Sequence, residues 1–125
     1  MKDQGLWTWH VAAGVVILVF LGLHMGVMHL EAMLGFPFSP AGGHPIDWAN
    51  VVARAKSVFF AVTYVVLLGT ALFHGLYGAR TILFELGPSP ALKRAATWVF
   101  LVAGLGLFVL GAWAAWAVFV LARAS

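Results

Sequence analysis

Charged residues punctuate this chain so sparsely that their spacing draws the fold. The eleven are Lys2, Asp3, Glu31, Asp47, Arg54, Lys56, Arg80, Glu85, Lys93, Arg94 and Arg123. Between them lie three uncharged stretches, residues 4–30, 57–79 and 95–122. A helix needs ~20 apolar residues to cross the ~30 Å hydrocarbon core, and each stretch exceeds that. The pattern predicts three transmembrane helices, over about 6–34, 47–86 and 90–122. Gly35 to Pro45, with three prolines and three glycines, reads as the first connection. Asp47 suits an N-cap, and Trp48 to Arg54 reads as a short amphipathic turn outside the membrane before the second span. Gly87-Pro88 stops that span, and Ser89-Pro90 opens the third with favoured N-cap and N1 residues.

Composition sharpens the class. Only 9% of residues are charged, which is too little to cover a soluble surface. The expected architecture is one all-α membrane domain over residues 1–125, three spans forming part of a multi-subunit helical bundle. The first span is too long for a cleaved signal peptide and lacks its basic leader. Without cysteine, the chain supplies no disulfide or thiolate ligand to a cluster. The net charge of +3 includes no basic run beyond two residues, so it speaks for topology and not for nucleic acid. Lys2, Arg80, Lys93 and Arg94 fall on the N-terminal side, against Arg54, Lys56 and Arg123 on the other. That balance favours a cytoplasmic N-terminus. Trp7, Trp9, Trp113 and Trp116 suit the two interfaces. Gly22 and Gly26, and the stripe Ala71, Gly75 and Ala79, suit close helix approach and a partner membrane subunit.

Histidines carry the candidate chemistry, because an imidazole inside a span is costly and is commonly retained for function. At ~1.5 Å rise per residue, His74 lies ~9 Å from mid-membrane toward the N-terminal side, and His10 ~15 Å on the same side. His24 lies ~6 Å and His29 ~13 Å on the opposite side. His24 and His74 are thus ~15 Å apart in depth and cannot share one iron. A second ligand beside His74 would come from another chain or from His10. A structural histidine bonded to a carbonyl is the alternative reading. Arg80 offers a forked donor for haem propionates or a quinone head-group, or else pairs with Glu85 or reaches out to the interface. His44 reads as loop.

His74-x-x-x-Gly78-x-Arg80 with Glu85 beyond resembles the second-helix pattern of membrane-anchor subunits of succinate dehydrogenase and fumarate reductase. Gly14 to His24, followed by Met28-His29, is similar to the first span of the smaller, D-type anchor. The resemblance covers most of the chain. It implies a second membrane-anchor subunit, an iron–sulfur subunit and a flavoprotein subunit as partners, and one or two b haems shared with the second anchor. It also implies electron exchange with menaquinone or ubiquinone at a prokaryotic inner (cytoplasmic) membrane, with no catalysis by this chain alone. By the motif, His74 would be an axial ligand of the haem nearer the iron–sulfur subunit and His24 a distal ligand. The chain departs from the pattern at Phe84-Glu85-Leu86, where one anchor type has Asp-Tyr, and at Trp7-Thr8-Trp9-His10-Val11, where the other has serine and His-Arg. Trp9, His10, Arg80 and Glu85 stand as substitute quinone or haem neighbours. Three other readings are a haem-free structural anchor, a proton-conducting or transport subunit using His24, His29 and Glu31, and a di-haem cytochrome of a hydrogenase or formate dehydrogenase.

Overall fold

A computed structural model describes residues 3–29 and 42–124. They form four helices: α1 Asp3–His29, α2 Trp48–Ala55, α3 Val58–Glu85 and α4 Pro90–Ala124. Three of them are long and apolar enough to cross a membrane, over Gln4–Gly26, Val58–Glu85 and Pro90–Ala124. The all-helical, multi-pass character expected from the charge gaps is therefore present. Glu31 and the end of the predicted first helix lie outside the described residues.

The predicted second helix divides in two. Ser57, with φ −88° and ψ 126°, is extended and separates α2 from α3. The reason lies in what each segment buries. α2 turns Asn50 and Arg54 inward, at 0% and 5% exposure, whereas α3 is apolar on all sides and has no buried residue. A polar inner face and an all-apolar span need different surroundings, and the break at Lys56–Ser57 lets each have its own. Asp47 occupies the N-cap position of α2, but its side chain makes no cap bond. Its Oδ2 instead accepts the backbone N–H of His44 at 2.8 Å. At the other connection Gly87 adopts φ +68°, which ends α3, and Ser89 Oγ accepts the N–H of Leu92 at 3.3 Å to open α4. Ser89→Ala should cost about 1 kcal/mol of stability. Detergent unfolding of the two proteins would measure it, and an unchanged midpoint would rule the cap out.

α3 is the hub. It packs against α1 on one side and α4 on another, and among the described residues α1 and α4 do not pair. Small residues make the close approaches on the α4 side. A Cβ at Gly104 would stand 2.8 Å from Leu76 Cδ1, and one at Gly111 would collide with Leu68 Cδ2. The first-helix glycines expected to pack behave otherwise: among the described residues nothing lies within 4 Å of where a Cβ would stand at Gly22 or Gly26, and the same holds for Gly75. Ala71, Gly75 and Ala79 are all exposed, so this stripe faces away from the other described helices. Trp7, Trp9, Trp113 and Trp116 are likewise more than 60% exposed. Only Ala13, Ala96, Phe119 and Ala122 among the described apolar residues are buried, so almost all the apolar surface is left for lipid or other helices.

Candidate functional site

Where α1 meets α3, two imidazoles cross the gap. The rings of His10 and His74 lie face to face, with centroids 4.0 Å apart and planes 7° from parallel. Each rests on a glycine of the opposite helix. A Cβ at Gly14 would stand 3.0 Å from His74 Cε1, and one at Gly78 would stand 3.3 Å from His10 Cε1. Each helix therefore carries the same unit, histidine and then glycine four residues later on the same face. In the antiparallel pair the two units fit together reciprocally. The sequence showed the α3 copy as part of a motif; the matching His10–Gly14 pair on α1 was the signal for its mate.

His74 is further fixed by polar contact. Its Nδ1 lies 3.0 Å from the backbone carbonyl of His10. A carbonyl only accepts, so Nδ1 carries the hydrogen, and in the neutral ring Nε2 keeps the lone pair. Metal-ligating histidines are oriented in just this manner, by an N–H donated to a carbonyl on the far side of the ring. His10 is less satisfied: its Nδ1 is buried with no hydrogen-bond partner among the described residues. Tyr77 flanks the pair, its ring 5.2 Å from that of His10.

This geometry separates two uses of the histidines. Two axial ligands of one haem must aim ring nitrogens at the iron from opposite faces of the porphyrin. Stacked rings 4.0 Å apart leave no room for a porphyrin between them. His10 and His74 in this arrangement thus do not fit as the two ligands of one iron. His74 alone keeps the donor chemistry of a single ligand, with Nδ1 against a carbonyl and glycine on its flank. Among the described residues no three His, Cys, Asp or Glu side chains gather for a bare metal ion.

The remaining candidates fall elsewhere. His24 pairs edge-on with Tyr64 at 6.1 Å. Tyr64 precedes His74 by ten positions on α3, ~15 Å along the axis, which agrees with the depth separation read from the sequence. His29 ends α1 and is exposed. His44 sits in the turn before α2. Arg80 faces α4 and not α1: its Nε donates to Thr97 Oγ1 at 3.0 Å, and its guanidinium lies 4.2 Å from the Phe84 ring centre. Glu85 is exposed and makes no ion pair with Arg80. Trp9 points outward and joins neither group.

Between α3 and α4, on the Arg80 side, runs a cleft of about 630 Å³ that sequence reasoning missed. Arg80, Thr97 and Tyr77 supply its polar groups, and Phe73, Phe100 and Phe108 line its length. Comparison with known protein families, curated proteins and solved structures gives no match for this chain.

Proposed function

We propose that this chain is a haem b-binding membrane-anchor subunit of a succinate:quinone oxidoreductase or quinol:fumarate reductase. The observation that carries the reading is the bond from His74 Nδ1–H to the His10 carbonyl, which leaves Nε2 free to ligate. The haem would supply one-electron transfer between an iron–sulfur subunit and membrane quinone. What this chain contributes is placement. α1 holds the imidazole in one tautomer, and Gly14 lets the helices close around it. The other axial ligand would come from a second anchor subunit, because His10 is taken up in the stack. The exposed stripe of Ala71, Gly75 and Ala79 supports such a partner, since small residues let a further helix approach α3. The N-terminal side, with Lys2, Arg80, Lys93 and Arg94, would face the cytoplasm of a prokaryote and the peripheral subunits.

The stack itself favours a second reading, a haem-free anchor in which His10 and His74 serve only to join α1 to α3. One measurement divides the two. The purified complex should show b-type absorption in its reduced-minus-oxidised spectrum, and His74→Ala should abolish one haem's share of it. A wild-type complex without that absorption, or a variant that keeps it in full, would overturn the ligand assignment.

A further inference from the structure

We infer that the α3–α4 cleft holds one acyl chain of an anionic phospholipid, with the phosphate drawn to Arg80 and Lys93. The cleft opens beside the stacked histidines, with Tyr77 between the two sites and Leu6 of α1 at its edge, and the inference uses no haem. Its first support is the cleft's extent. It runs from Gly69 and Phe108, near the middles of α3 and α4, to Arg80 and Thr97 near their ends. From Gly69 to Arg80 is ~16 Å along the helix, about half of the ~30 Å hydrocarbon core. A groove that begins at the bilayer midplane and stops at one headgroup layer has the reach of a single lipid leaflet. Its volume, about 630 Å³, and its phenylalanine walls suit a hydrocarbon chain.

Charge at the mouth selects the headgroup. Arg80 and Lys93 approach the same Phe84 ring, at 4.2 Å and 5.5 Å from its centre. Neither has a carboxylate partner among the described residues, because Arg80 donates only to Thr97 and Glu85 stands apart. Two cations that share one ring repel each other unless an anion lies between them. Arg94 and the positive end of the α4 dipole add to the same field. A quinone would fill the apolar groove equally well, but its neutral head leaves this charge uncompensated.

Native mass spectrometry of the full chain provides the test, with phosphatidylglycerol and phosphatidylcholine of identical acyl chains as probes. Each cation at a membrane surface adds about five-fold to anionic-lipid binding. Wild type should therefore retain phosphatidylglycerol about twenty-fold over phosphatidylcholine, one molecule per chain, and the preference should shrink as salt rises. R80Q with K93Q should bring the two lipids level. Leu101→Trp fills the cleft from a position 56% exposed to lipid, and should release both. Equal retention by wild type overturns the proposal, as does a preference that survives high salt or the double substitution. Displacement of phosphatidylglycerol by a short-tailed ubiquinone would also overturn it and mark the groove as a quinone site.

Discussion

Gly14→Leu should detach α1 from the rest of the molecule. A Cβ there already stands 3.0 Å from His74 Cε1 and 3.3 Å from Nδ1, tighter than ordinary van der Waals contact. A full leucine side chain needs the space the imidazole occupies, so either His74 leaves its rotamer or the helices part. Overpacking of this kind costs ~1–3 kcal/mol. Loss of the bond from His74 to the His10 carbonyl adds ~0.6–1.7 kcal/mol, from the average to the maximum found for such bonds by double-mutant cycles in a membrane protein. The expected loss is thus about 2–5 kcal/mol, large because among the described residues α1 packs chiefly against α3. SDS titration of the full chain in mixed micelles would report it as a lower unfolding midpoint. Adding His74→Ala in the Gly14→Leu background should restore part of the loss by making room, a coupling visible in a double-mutant cycle. A leucine variant as stable as wild type would show that the imidazole is not held by this contact.

The second large effect is expected outside the membrane spans. Asn50 is fully buried, and its Nδ2 donates to the carbonyls of Gly42 and His44 at 2.8 and 2.9 Å. One turn later Arg54 donates to the Pro45 carbonyl and reaches Met28 Sδ at 3.9 Å. These two side chains clamp the turn at residues 42–45 onto α2, and α2 in turn rests on α4 and α3. Gly42 and Gly43 sit at φ +73° and +74°, which a clamp of this shape requires. Asn50→Leu keeps the volume but removes both donors, at roughly 1 kcal/mol for each hydrogen bond lost. We expect about 2–3 kcal/mol overall, with much faster amide exchange across residues 42–47. Exchange unchanged in that turn would mean that Arg54 suffices alone.

The spans were legible because charge is excluded from hydrocarbon whatever the packing. So were the stop at Gly87-Pro88 and the start at Ser89-Pro90, since glycine and proline act through local geometry. The division of the second helix was not. Lys56 and Ser57 are ordinary residues in a helix, and the break there follows from tertiary burial of Asn50 and Arg54. Depth arithmetic separated His24 from His74 and left His10 as the nearer neighbour, and those two rings do meet. It could not say that they meet face to face, because axial rise gives height and not orientation. The partner of Arg80 was hidden for a related reason. Helices that are apolar on every side carry no stripe to reveal which face turns toward which neighbour. Thr97 and the cleft beside it were invisible until α3 and α4 were in register.

The reciprocal seating of His10 and His74 also fixes how α1 and α3 slide. Three pairs set the alignment: His10 with Gly78, Gly14 with His74, and His24 with Tyr64. A slip of one turn, ~5.4 Å, in one direction would bring His10 level with His74, bulk against bulk, and leave the Gly14 notch against Thr70. The same slip in the other direction would set Gly14 against Gly78 and leave a hollow, while His74 met Leu18 and His10 met Ile82. Between two otherwise smooth apolar helices, this pair of knobs and notches acts as a vernier with a single closing position.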